Sequence, residues 1–220
     1  MKLLFSTIGK KIQIAVSGSL LIIFLFFHLI NNLVLFSGSE NFNSMVEFLE
    51  SIKLVVRIME VGLLLLLLIH TFNAIQITIN NRKRNITTTA PNNQFELSSL
   101  NSRTMAISGS IILLFLFLHL GFIWWTYQIH AMAVEETYYD VLLRSNFGYL
   151  NHTPTAIFYI IAILSIAFHL KHGFQSALKT FGVLNYGTSS ILYSLSFIIW
   201  GLIPMGFIII VICIQCGVIK

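Results

Sequence analysis

Apolar residues dominate the chain in five long stretches, near residues 12–36, 55–79, 104–127, 154–178 and 190–216, and polar residues collect between them. At 1.5 Å of helical rise per residue, about 20 residues cross a hydrocarbon layer of about 30 Å, so each stretch is long enough to span a bilayer. The predicted fold is all-α, an integral membrane bundle of five transmembrane helices filling one domain over residues 1–220. Turn chemistry punctuates the runs. Ser37-Gly38-Ser39 closes the first, Thr153 is the expected N-cap of the fourth with Pro154 at its first position, and Pro204 is expected to kink the fifth. Between the first two runs, Met45, Phe48, Leu49 and Ile52 recur at helical spacing and predict a short amphipathic helix over 43–53 on the outer surface.

The pattern also repeats. Residues 16–29, VSGSLLIIFLFFHL, return as residues 107–120, ISGSIILLFLFLHL. Ser17, Gly18, Phe24 and His28 align with Ser108, Gly109, Phe115 and His119. IHTFNAIQ (69–76) aligns more weakly with FHLKHGFQ (168–175), matching His70 to His169 and Gln76 to Gln175. Spans one and two therefore read as a parallel internal duplicate of spans three and four.

Composition sharpens this picture. Apolar residues make up 56% of the 220 residues and charged ones only 10%, against roughly 25% charged in soluble domains. The chain is used almost wholly in spanning, and a separate soluble catalytic domain does not fit. The net charge of +5 points to orientation rather than to nucleic acid. Lys2, Lys10, Lys11, Arg82, Lys83, Arg84, Arg103 and Lys179 fall on one side. Lys53, Arg57, Arg144 and Lys220 fall on the other, with Glu40, Glu47, Glu50, Glu135, Glu136 and Asp140. The positive-inside rule places the N-terminus and the 80–103 loop in the cytoplasm and the C-terminus outside. Lys10 and Lys11 precede an apolar run too long for a signal peptide, so the first span is read as retained. Cys213 and Cys216, one turn apart in the last run, have no further cysteine to complete a metal site and read as small apolar residues.

Ionisable residues inside spans are expensive and mark function. Counting along each span puts His28 and His119 roughly 23 Å from the cytoplasmic end, and His70 and His169 roughly 15 Å from it. The chain thus offers two histidine pairs at two depths. Imidazole is a good iron ligand, and two of them on facing helices can hold a haem within a bundle. A zinc site wants about four close ligands, and no carboxylate lies at the depth of any of the four. His172, one turn past His169, is a competing ligand, but the repeat aligns it with Asn73. His130 and His152 are expected to be solvated in outer loops. Ser17 and Ser108 share the helical stripes of His28 and His119 but lie about 16 Å below them. They are expected to make room for, or hydrogen-bond to, the inner haem. Three roles fit Arg57 and Glu60 at the outer mouth of span two: an ion pair, a hold on a haem propionate, or the lining of a quinone pocket.

These features resemble the five-helix, two-haem, single-polypeptide cytochrome b subunit of succinate dehydrogenase/fumarate reductase. The likeness covers nearly the whole chain. It rests on Ser17-Gly18 ahead of His28, Phe42-Asn43, the segment Arg57 to Glu60 (RIME), His70 followed by a basic loop, and HLKHGFQSALKTFG at 169–182. The resemblance implies a bacterial cytoplasmic-membrane anchor for a flavoprotein subunit and an iron–sulfur subunit on the cytoplasmic side. It implies two haems b, with His28 and His119 holding the distal one and His70 and His169 the proximal one. Electrons would pass between the iron–sulfur subunit and a quinone, usually menaquinone. By depth and polarity, Asn31, Asn32, Arg57, Glu60, Trp124 and Trp125 are the quinone candidates. The rival readings are a di-haem anchor of another dehydrogenase or hydrogenase, a histidine-lined proton or metal transporter, and an anchor without haem.

Overall fold

A computed structural model describes residues 6–87, 93–129, 136–183 and 189–220, with side chains for 6–83, 104–129, 136–183 and 190–220. Lys2, His130 and Glu135, and the side chains of Arg84 and Arg103, lie outside the described residues. Among the described residues there are helices and turns and no strands. Five helices are long and apolar enough to cross a membrane: Thr7–Ser37, Lys53–Lys83, Thr104–Ile129, Thr153–Thr180 and Ser190–Gln215. The chain is a multi-pass membrane protein, and all five expected spans are present.

Helix α1 (Thr7–Leu33) starts where the Ser6 side chain accepts a hydrogen bond from the Gly9 N–H at 3.0 Å, satisfying one of the free donors of the first turn. It tightens into a 3₁₀ turn, Val34–Ser37, and reverses at Gly38, whose φ of 92° favours glycine. Helix α2 (Ser39–Ser51) follows, beginning four residues before the expected segment. Its inward stripe differs too. Phe42 is buried, with Met45 and Val46 packed beside it, whereas Phe48 is 63% exposed and points away from the protein.

Helix α3 (Lys53–Thr87) is the second span. Helix α4 (Asn93–His119) continues through a π turn, Leu120–Trp124, into α5 (Trp125–Ile129), and the Trp125 N–H reaches back to the Leu120 carbonyl. Helix α6 (Tyr138–Leu142) carries a capping box between Thr137 and Asp140. Helix α7 (Thr153–Thr180) is the fourth span. Its N-cap is His152 rather than the expected Thr153. The imidazole accepts from the Thr155 N–H at 3.4 Å and lies 2.9 Å from the Thr155 hydroxyl. His152 is thus half-buried and structural, not solvated.

The fifth span is α8 (Ser189–Phe197), a π turn (Ile198–Leu202) and α9 (Ile203–Gln215). The break expected at Pro204 takes this form. A proline lacks the N–H that would bond four residues back and its ring crowds that carbonyl, and the extra residue of the π turn just before it relaxes both.

The first four spans form a ring in the order α1, α3, α4, α7, each packed on its neighbours, while α9 lies against α1 and α7. Across the bundle, α1 therefore faces α4 and α3 faces α7. Buried Leu35, Phe42, Tyr139, Leu142, Leu150 and Ile219 close the end where α2 and α6 sit. There the Tyr139 hydroxyl donates to the Lys220 carbonyl at 2.7 Å, and the Gln215 amide donates to the Leu150 carbonyl at 2.7 Å. The outward faces carry Leu54, Ile58, Phe117, Phe168 and Ile191, all exposed and apolar, as a surface solvated by lipid tails requires.

Candidate functional site

The histidines meet across the diagonals of the ring. His28 on α1 and His119 on α4 have ring centroids 5.9 Å apart, with planes at 84°. His70 on α3 and His169 on α7 have centroids 6.2 Å apart, with planes at 64°. All four project inward, each meeting its counterpart from the facing helix. In both copies of the repeat, the phenylalanine one turn earlier stacks on its histidine. Phe24 lies 5.3 Å from His28 at 18°, and Phe115 lies 5.4 Å from His119 at 26°.

The surroundings of the two pairs differ. At the His28/His119 level, Phe207 of α9 approaches His28 at 5.6 Å, and the Tyr159 hydroxyl of α7 lies 3.3 Å from His119 Nδ1. At the other level, Ser17 Oγ lies 3.2 Å from His70 Nδ1, and Ser108 Oγ lies 3.3 Å from His169 Nδ1. The serines stand at the depth of the second pair, and they meet its imidazoles. His172 turns back on its own helix, with Nδ1 3.1 Å from the Phe168 carbonyl, and takes no part in the pair. Nearby, the buried Asn73 donates to the Gln13 side chain at 2.8 Å, tying α3 to α1.

The donor set can be tested against a metal group. Two imidazoles on opposite sides of one ion, with bonds of about 2.0–2.1 Å, place their ring centroids roughly 6 Å apart. Both pairs meet that spacing. Among the described residues, no three or more His, Cys, Asp or Glu converge, so no closed tetrahedral site is built from them. Two nitrogen ligands per level, apolar walls and a helical bundle fit an iron porphyrin, which brings its own equatorial ligands.

A polar cluster lies at the end of the bundle where α2 and α6 sit. Arg57 Nη1 donates to Glu60 Oε2 at 2.5 Å, and Arg57 Nη2 donates to Gln128 Oε1. The Trp124 indole N–H donates to Glu60 Oε1 at 2.9 Å, and the Arg57 guanidinium lies 5.4 Å over the Trp124 ring. This cluster joins α3 to the π turn and α5. The six quinone candidates therefore separate. Arg57, Glu60 and Trp124 come together. Asn32 folds onto the His28 carbonyl at 2.8 Å, with its amide nitrogen 3.5 Å from His28 Nδ1, while Asn31 and Trp125 face outward. Gln128 was missed from sequence; its signal is its place one helical turn after Trp124.

Comparison with known proteins bears on this arrangement. The chain is 27% identical over 165 residues to the succinate dehydrogenase cytochrome b558 subunit of Bacillus subtilis (strain 168), covering 73% of each chain. The chain resembles the succinate dehydrogenase cytochrome b subunit. No family model matches it, and no solved structure matches it. The resemblance read from the motifs and the similarity of the aligned sequences point to the same family.

Proposed function

We propose that this chain is the membrane anchor and di-haem cytochrome b subunit of a succinate:quinone oxidoreductase. The observation that carries the reading is the meeting of each duplicated histidine with its counterpart across the bundle, at 5.9 Å for His28/His119 and 6.2 Å for His70/His169. His28 and His119 hold the distal haem b, and His70 and His169 the proximal one. The haems supply one-electron chemistry at iron. The chain would orient their ligands and wall the distal level with Phe24, Phe115 and Phe207. The N-terminus and the basic 80–103 loop face the cytoplasm, where a flavoprotein subunit and an iron–sulfur subunit dock; the succinate/fumarate site belongs to the former.

Electrons arrive from the iron–sulfur subunit and leave to a membrane quinone, with menaquinone as the expected species. Quinone reduction takes up protons, so its site needs hydrogen-bond donors and a proton-exchanging group within the apolar layer. Arg57, Trp124 and Gln128 supply donors. Glu60 is the sole Asp or Glu in the five candidate spans. The cluster at the outer mouth is therefore the favoured quinone site, ahead of Asn31, Asn32 and Trp125.

The test is a reduced-minus-oxidised visible spectrum of the purified complex, with haem counted against chain. Two haems b reduced by succinate are expected. Two haems that ignore succinate would assign the chain to another dehydrogenase or a hydrogenase. A complex without haem would refute the reading.

A further inference from the structure

The repeated Ser-Gly dipeptide lies three helical turns from the histidine on its own helix, yet it touches a histidine of the neighbouring helix. Ser17 and Gly18 of α1 meet His70 of α3. Ser108 and Gly109 of α4 meet His169 of α7. A Cβ placed on Gly18 would lie 3.2 Å from His70 Cε1, and one on Gly109 would lie 3.7 Å from His169 Cε1. In both copies the serine addresses Nδ1 and the glycine leaves room for the adjacent ring carbon. The same dipeptide therefore makes the same two contacts twice.

The direction of the serine hydrogen bond follows from the helix. Ser17 Oγ lies 2.7 Å from the Gln13 carbonyl, closer than the 3.2 Å to the imidazole, and Ser108 Oγ lies 3.2 Å from the Met105 carbonyl. A serine within a helix donates its proton to such a carbonyl. Its lone pair then faces the imidazole and accepts from Nδ1–H. Nδ1 carries the proton, and Nε2 is left bare as the ligating nitrogen.

Resting on the reading above, we infer that Ser17-Gly18 and Ser108-Gly109 are positioning pairs that fix the tautomer and rotation of the two proximal ligands, His70 and His169. Each of α1 and α4 thus serves both levels, giving a ligand to the distal site and an orienting pair to the proximal one. A hydrogen-bond acceptor on the far nitrogen raises the basicity of a metal-bound imidazole, and removing such partners costs about 10–100-fold in metal affinity. Greater basicity favours the oxidised iron, so losing the acceptor raises the midpoint potential.

The experiment is a redox titration and haem-release assay on the intact purified complex carrying Ser17→Ala, Ser108→Ala, both together, or Ser108→Thr. The proximal haem is identified by its loss in His169→Ala. Expected are a higher proximal potential, about 10–100-fold faster loss of that haem to a haem-scavenging protein, and an unmoved distal potential. Ser17→Ala and Ser108→Ala should act in the same direction, since the two contacts have nearly the same length. Ser108→Thr, which keeps the hydroxyl, should restore both readouts. A wild-type complex with two haems whose proximal potential and release ignore the double alanine change would overturn this inference alone. So would a shift that threonine fails to reverse, since that is a packing effect. A wild type without the proximal haem would overturn the functional reading and this inference with it.

Discussion

His28 and His119 stand 5.9 Å apart on helices that face each other across the bundle rather than packing side by side. The contact is held from both sides, by Phe24 stacked on one ring and Phe115 on the other. On the proposed reading, removing either imidazole takes away one of the two histidines that would hold one haem and leaves the other level untouched. His28→Ala and His119→Ala should each reduce the haem count from two to one, with the same haem lost. His70→Ala and His169→Ala should lose the other. His172→Ala should keep both. The check is the haem-to-chain ratio with low-temperature spectra; loss of a haem in the His172 variant, with His169→Ala silent, would reverse the ligand assignment.

On the proposed reading, the cluster of Arg57, Glu60, Trp124 and Gln128 handles the quinone and takes no part in haem binding. Glu60→Gln keeps the shape and a hydrogen-bond acceptor but removes the exchangeable charge. Both haems should stay, succinate should still reduce an artificial soluble dye, and quinone reduction should fall by about 10²-fold or more, the usual worth of a positioned proton-transfer group. Equal rates with quinone for variant and wild type would move the quinone site elsewhere. The Arg57–Glu60 pair itself, about one-third exposed, contributes only about 0–1 kcal/mol to stability, so the thermal midpoint should barely change.

Glycine positions discriminate close packing from open surface. A Cβ on Gly206 of α9 would sit 2.9 Å from Leu29 of α1, whereas nothing lies within 4 Å of one on Gly62. Gly206→Ala should destabilise the bundle by about 1–3 kcal/mol through overpacking. Gly62→Ala should be neutral or stabilising by up to ~1 kcal/mol, from helix propensity. Thermal unfolding in detergent measures both, and similar midpoints for the two variants would contradict the packing of α9 on α1.

The cap formed by α2 and α6 should be sensitive to alkali. Burial raises the Tyr138 phenol above its ordinary value, with Tyr127 and Glu60 adding to the effect, and burial also raises Tyr139. A folded-state pKa above the unfolded one gives stability that is complete below about pH 10, the ordinary tyrosine value. It is lost as pH rises from there through the folded pKa, because the unfolded chain releases the proton first. The thermal midpoint should thus fall steadily above pH 10, and Tyr138→Phe should flatten that fall. An identical slope in the variant would exclude Tyr138 as its source.

The five spans and the four paired histidines were legible because bilayer thickness fixes a length and duplication fixes a correspondence. The ring order was not, since which helices are neighbours depends on packing that no single segment encodes. Local competition explains the remaining departures. At α7 the Thr153 side chain bonds Gln215 at 2.9 Å, leaving His152 to cap. In α2 the α6 residues Tyr138 and Tyr139 cover Phe42, which rotates the buried stripe away from Phe48. The π turn after His119 has no proline to announce it. Ser17 and Ser108 were placed at the right depth, but whether they met a cofactor or a side chain depended on how α1 turns against α3.

The ring order carries a history. Each histidine meets its own duplicate, so both contacts lie on the pseudo-twofold axis that relates the halves along the membrane normal. Before the duplication, a chain with two spans would have made the same contacts with a second copy of itself, each residue touching its symmetry mate as isologous dimers require. The orienting Ser-Gly pair would already have worked within one subunit. Fusion of the two copies would have freed the halves to diverge, and Asn32 beside His28 in one half and Tyr159 beside His119 in the other have no matching partner across the repeat.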